Sequence, residues 1–271
     1  MKIACRLAGV LMMLIAALSS LDAQWLKYPT AGVPRLPNGS PNLEAPTPRT
    51  PDGKPDFSGI WEPERNRPCP PGGCADMEIP QEFINIGFSL KDGAPYQPWA
   101  AQAKRTRMEE NGKDDPVSIC LPGGIVKLHT TPQLRKIIQI PGLLVTLNEM
   151  EAQYRQIFID GRPLPVVNKP SFNGYSVGKW EGDTLVVETI GFPDGMWLDR
   201  SGSPMTDAAK IVERFRRINY GKMEIDVTID DPKAYKQPWT IKLTHNIVLD
   251  TDLIEYICTE NERDAGHMVG K

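Results

Sequence analysis

Lys222-Met-Glu-Ile-Asp-Val-Thr-Ile229 alternates without interruption: Met223, Ile225, Val227 and Ile229 are apolar, and Lys222, Glu224, Asp226 and Thr228 are polar. A period of two marks a strand with one buried and one wet face, as in an antiparallel sheet with a single core side. Shorter runs of the same kind are bounded by turn residues. Leu134 to Ile140 ends at Pro141-Gly142 and Leu143 to Met150 runs back, while Tyr154 to Ile159 ends at Asp160-Gly161. Gly174 to Trp180, Thr184 to Ile190, Lys210 to Ile218, Trp239 to Leu249 and Leu253 to Cys258 follow. About eight or nine closely spaced strands with no helix between them predict a mainly β fold, an antiparallel up-and-down β-barrel of lipocalin-like style whose closure removes exposed edges. One helix is expected near residues 98–110, alanine-rich, with Pro98 at its start and Asn111-Gly112 at its end.

The same alternation assigns interior positions. With Met223, Ile225 and Val227 inward, the neighbouring strands present Ile211 and Phe215 together with Glu213, and Ile241, Leu243, Ile247 and Leu249 together with His245. Leu143, Val145 and Leu147 share a face with Glu149, and Ile157 and Ile159 share one with Arg155. Glu149, Arg155, Glu213 and His245 therefore project into an apolar interior, where charges need partners. They form either a structural polar network or the polar end of a ligand pocket. Arg214, Arg216 and Arg217 read as the solvated face of their strand.

The N-terminus changes the setting. Lys2 and Arg6 precede an apolar run from Leu7 to Leu18, and small residues lead to a cleavage point between Ala23 and Gln24. This is the layout of a secretory signal peptide over residues 1–23, predicting a periplasmic or secreted protein with no transmembrane segment after cleavage. Residues 24–55 form a proline-rich extended arm expected to add little to the barrel core, and residues 56–271 form the single β-barrel domain, first anchored at Asp56-Phe-Ser-Gly-Ile-Trp61. Export leaves four cysteines, and an even count in an oxidising compartment favours disulfides, paired as Cys69 with Cys74 and Cys120 with Cys258.

Chemistry is sparser. A net charge of −3 with no basic block argues against nucleic acid as the main partner. The cysteines lack zinc spacing, and His129, His245 and His267 are scattered, so no metal and no cofactor is expected. Asp183, Glu188, Asp194 and Asp199 match no calcium-loop order. Ser171, Ser176 and Ser201 lack a G-x-S-x-G context. Gly178-Lys-Trp-Glu-Gly-Asp183 lacks the spacing and following helix of a phosphate loop.

Four segments carry a resemblance: Pro51-Asp-Gly-Lys-Pro-Asp-Phe-Ser-Gly-Ile-Trp61, Asp160-Gly-Arg-Pro163, Gly178-Lys-Trp-Glu-Gly-Asp-Thr-Leu-Val-Val-Glu188 and Glu213-Arg-Phe215. Together they resemble an uncharacterised family of secreted bacterial proteins. That family often has histidine where this chain has Leu164 and Met205, so the resemblance implies no role for those histidines here. Gly59-Ile-Trp61 is similar to the G-x-W signature of lipocalin-type barrels, an analogy of fold that specifies no ligand. The leading expectation is binding of a small, partly apolar ligand inside the barrel by Glu149, Arg155, Glu213 and His245. One rival is an enzyme using the same cavity, with His245 or Glu213 as base and Arg155 stabilising an anion. The other is a structural or protein-binding envelope module with a filled core.

Overall fold

The alternating segments form a closed barrel of nine strands in the computed structural model, which describes residues 29–65, 79–167 and 169–258. The strands are β1 (Gly59–Pro63), β2 (Arg135–Ile140), β3 (Leu143–Asn148), β4 (Tyr154–Phe158), β5 (Tyr175–Glu181), β6 (Thr184–Ile190), β9 (Lys210–Arg217), β10 (Lys222–Asp230) and β11 (Trp239–Val248). A separate two-stranded ribbon, β7 (Met196–Trp197) and β8 (Pro204–Met205), folds within the long β6–β9 connection. Around the barrel the order is β1, β11, β10, β9, β6, β5, β4, β3, β2, and back to β1.

An odd number of strands cannot close with every neighbour antiparallel, because directions that alternate around a ring fail to match at one seam. That seam is β4–β5, which is parallel and pairs only Ile157 with Ser176 and Phe158 with Val177. Parallel neighbours need a crossover of a dozen or more residues, and the proline-rich loop from Ile159 to Gly174 supplies it. The up-and-down order is thus as expected, with one parallel joint that the alternation does not predict. β1 was expected only as an anchor, yet it closes the barrel, with Ile60 opposite Val248 and also opposite Lys136. Leu253 to Cys258 is not a strand, its contact with the sheet being one bridge between Tyr256 and Met150.

Parity holds on β9, β10 and β11: Ile211, Glu213, Phe215, Met223, Ile225, Val227, Ile241, Leu243 and His245 are all buried. Arg214 and Arg216 lie outward and half-exposed, whereas Arg217, expected in solvent, shares the inward parity of Phe215 and is buried. Its guanidinium lies over the rings of Trp61 and Tyr220, and it donates to the carbonyls of Asp56, Ser58 and Tyr220. The inward face of β3 is the reverse of expectation: Leu144, Thr146 and Asn148 point in, and Leu143, Val145 and Leu147 point out. The apolar set Leu143, Val145 and Leu147 favours the opposite face, and pairing overrides that pattern: Thr146 stands opposite Arg155.

Helices fill the long β1–β2 connection: α1 (Gln81–Ile84), α2 (Pro98–Glu109), a 3₁₀ turn (Pro116–Ile119) and α3 (Gly124–Thr130). α2 is the expected helix, with proline in its first turn. All seven residues of α3 are buried, and it packs against inward side chains of β2, β9 and β11. Its start needs glycine, because Gly124 has φ +78° and a Cβ there would lie 2.2 Å from Met196 Cε. Cys120, just upstream, is bonded to Cys258 with Cα atoms 5.6 Å apart, the pairing expected from the cysteine count. Cys69, Cys74 and the signal segment lie outside the described residues.

The arm from residue 29 is irregular, as its prolines require, but it is docked against the barrel. Tyr220 and Gly221 donate their amides to Ala45 and Leu43 carbonyls at 2.8 Å, and Thr47 Oγ1 donates to the Arg217 carbonyl at 2.9 Å. Leu43 packs so closely that a Cβ on Gly221 would stand 2.7 Å from its own Cβ. Residues 43–47 bond to the β9–β10 turn, Arg49 and Lys54 reach Asp183 and Gly182 in the β5–β6 turn, and the core itself begins at the buried Phe57 and Trp61.

Candidate functional site

β9 delivers Glu213 and β4 delivers Arg155, both inward by strand parity, and they meet as a bidentate ion pair. Arg155 Nη1 donates to Glu213 Oε1 at 2.9 Å, and Nη2 donates to Oε2. Two more guanidinium hydrogens go to Ser176 Oγ at 3.0 Å and Thr189 Oγ1 at 2.9 Å, hydroxyls themselves 3.0 Å apart. Glu213 is fully buried and Arg155 nearly so. Two parallel charge-assisted hydrogen bonds to a planar fork are what make such a pair tolerable away from water.

Two further partners carry no mark in the strand pattern. His129, from α3, donates from Nε2 to Glu213 Oε1, and its Nδ1 accepts from Arg135 Nη1. Arg135, at the start of β2, also donates to the Leu128 carbonyl at 3.0 Å. All seven residues of α3 are buried, so no apolar face singles out this histidine in the sequence. Arg135 is no better marked, because β2 is apolar at both parities.

His245 is buried beside this network rather than on the ion pair. It donates from Nε2 to the His129 carbonyl at 3.0 Å, its ring centroid is 5.8 Å from that of His129, and its Nδ1 has no hydrogen-bond partner. Glu149 stands apart. It follows β3, where its two carboxylate oxygens accept the amides of Leu134 and Ile254, each at 3.0 Å. Of the four expected residues, Arg155 and Glu213 are brought together, His245 is adjacent through His129, and Glu149 ties the chain ends near β2. The weaker candidate Asp199 is an internal staple, accepting from the amides of Ile86 and Ser203 and the hydroxyls of Ser201 and Ser203.

The charges follow from this geometry. Burial alone would raise the Glu213 carboxyl, but the Arg155 charge and the hydrogen bonds from His129 and Arg155 outweigh it and hold Glu213 well below the usual carboxylate range. Burial, helped by the Arg135 charge, lowers His129 to about 4 against the opposing pull of Glu213, so the imidazole is neutral at pH 7. Burial also lowers Arg135 to about 9 and, with Arg135 and His129, pushes His245 well below its ordinary value.

Stability should therefore depend on pH through His129. Its folded pKa lies below the unfolded value of about 6.5, so the unfolded chain binds more protons between those values and stability is lost as pH falls from about 6.5 through about 4. The contribution is about 3 kcal/mol at about 1.4 kcal/mol per unit. Glu213 acts in the same direction at lower pH. Urea midpoints measured from pH 7 down to pH 4 should fall steeply for the native chain and less steeply for His129→Gln. Equal slopes would show that His129 does not stay neutral.

A cleft of about 520 Å³ opens where β4 and β5 splay below their short parallel pairing. Gln153, Tyr154, Gln156 and Phe158 line one side, and Phe172, Asn173 and Tyr175 the other, while Arg155 and Ser176 contribute from the buried network. A second cleft, of about 240 Å³, lies beyond the shared wall of Pro122 and Phe172 and contains the buried Lys127–Asp115 ion pair, with 2.8 Å between Nζ and Oδ1. Neither cleft includes a side chain of β9 or β10. Among the described residues no group of three or more His, Cys, Asp or Glu is arranged to hold a metal ion, and no helix is long and apolar enough to cross a membrane.

No protein family, curated protein or solved structure matches this chain.

Proposed function

We propose that this is an exported β-barrel protein that binds a small, partly apolar ligand in the β4–β5 cleft. The observation that carries this reading is the double membership of Arg155 and Ser176: both belong to the buried network around Glu213, and both form part of the cleft wall. The cleft volume falls within the ~300–1,000 Å³ range of small-molecule sites. Phe158, Phe172 and Tyr175 supply apolar surface, while the network holds Arg155 rigid. The site thus moves from the barrel axis, where expectation put it, to its parallel joint. Export, to the periplasm or beyond, rests on the signal-like segment 1–23.

An enzyme with Glu213 as base gains no support from the geometry. A carboxylate held ionised by an arginine and a histidine is a poor proton acceptor. The reading as an envelope module with a filled core is favoured by one observation, the buried apolar face of β10, Met223, Ile225, Val227 and Ile229, which lines neither the β4–β5 cleft nor the one beside it.

Native mass spectrometry of the purified full-length product tests the proposal. The mass of the chain should correspond to a start at Gln24, and a co-purified small molecule should be released on denaturation. Gln156→Trp, at an exposed position on the cleft wall, should abolish that bound mass without unfolding the barrel. A bound mass that persists in the folded variant would sink the assignment of the cleft.

A further inference from the structure

The charged groups around the cleft are already engaged. Arg155 is neutralised by Glu213, and Arg162 by Asp160 at 2.6 Å. Glu151 Oε2 takes the Gln153 amide, and burial raises that carboxyl above its usual range against this bond. What remains on the walls is neutral and of both hydrogen-bonding signs. Asn173 Nδ2 donates to Gln153 Oε1 at 3.3 Å and to the Tyr154 carbonyl at 3.1 Å. Those two bonds fix the orientation of the amide, whose Oδ1 is turned away from the cleft and buried, as is Glu151 Oε1. The Tyr175 hydroxyl accepts from Arg162 Nη1 at 3.1 Å, which frees its own hydrogen to donate outward. Gln156 carries a further amide able to give and to accept.

The aromatic groups are arranged as faces. Phe158 and Tyr175 stack with centroids 5.3 Å apart and planes within 26°. Arg162 lies 3.8 Å over the Phe158 ring, which immobilises that pair. Tyr154 stands at the rim, 66% exposed, and Phe172 forms the wall shared with the second cleft.

We infer that the ligand of the cleft is a neutral saccharide, an inference that rests on the proposed function above. A pyranose ring offers an apolar C–H face to an aromatic wall and a rim of hydroxyls that both donate and accept. That combination meets amide and phenol groups of both signs without bringing a charge to a site whose arginines are already held by carboxylates. A purely apolar ligand would cover the Gln156 amide and the Tyr175 hydroxyl without giving them partners, and burying a polar group without a partner is unfavourable. A ligand acid would have to compete with Glu213 for Arg155.

The test is calorimetric titration of the mature protein with three neutral disaccharides, cellobiose, maltose and N,N′-diacetylchitobiose. A carboxylated disaccharide, an aminated disaccharide and the uncharged apolar probe N-phenyl-1-naphthylamine serve as comparisons. Each is repeated with Tyr154→Ala, whose exposed position leaves the fold intact by circular dichroism. Saturable binding of a neutral disaccharide, weakened about tenfold in Tyr154→Ala, is the expected result, an aromatic contact of about 1.4 kcal/mol being a tenfold change. If the saccharides fail while another probe binds and is weakened by Tyr154→Ala, the saccharide class is overturned and the cleft stands. If nothing binds, or if binding ignores Tyr154→Ala, the cleft reading itself is overturned.

Discussion

Replacing Arg155 with methionine should cost the fold roughly 3–5 kcal/mol, because it strands a carboxylate in the barrel interior. Glu213 would keep only the His129 donor, and the hydroxyls of Ser176 and Thr189 would lose the guanidinium that joins them. The double variant Arg155→Met with Glu213→Leu should recover much of that loss, since removing both members of a buried pair takes away the unpaired charge. Urea unfolding of the two single variants and the double variant completes a cycle, and the coupling between the residues should be large. A single variant within about 1 kcal/mol of the parent, the size of a surface pair, would mean that water reaches Glu213 through the β4–β5 joint.

Removing the Cys120–Cys258 bond should be of similar size. The two cysteines are 138 residues apart in sequence, and in the chain-entropy picture closing so long a loop stabilises by roughly 4–5 kcal/mol. The bond also pins the segment that enters α3, and with it His129. Unfolding of Cys120→Ala with Cys258→Ala should show the loss directly, and the parent protein in reductant should approach the same value. Matching midpoints for oxidised and reduced protein would mean that strand pairing alone closes the loop.

How much of the fold is legible in the chain depends on how sharply each strand separates its two faces. In β10 polar and apolar residues alternate without conflict, and on its neighbour β9 Ile211 and Phe215 bracket Glu213, so the pattern puts Glu213 inside. β4 behaves the same way for Arg155, because Tyr154 and Gln156 flank it and Ile157 follows. β3 misleads because Leu143, Val145 and Leu147 favour the face that pairing turns outward, and Glu149 is carried inward with the wrong set. Its burial is real, but its partners are the backbone amides of Leu134 and Ile254. β1 is hidden by its neighbours, since a five-residue strand after a run of prolines looks like the end of an arm. His129 escapes notice because α3 is too short to declare itself by periodicity, and its helical character is imposed by the barrel into which it packs. In the arm, isolated contacts likewise leave no periodic mark. Proline prevents regular pairing, but it does not prevent the isolated backbone contacts through which Leu43 and Ala45 hold the β9–β10 turn.

Closure through β1 and β11 sets the order in which the fold can be reached. The hairpins from β2 to β4 and from β9 to β11 join residues near in sequence, so their loops are short and can form early. Ile60 and Val248 are separated by nearly the whole barrel domain, and the encounter between their strands must wait until the strands between them are assembled. Until that encounter, the growing sheet carries two open edges, with unpaired amides and carbonyls along β2 and β11 that can take a strand from another chain. The slow step of folding and the interval of greatest exposure to aggregation are therefore the same event, and it depends on five residues, Gly59 to Pro63, finding their place between two strands that are already made.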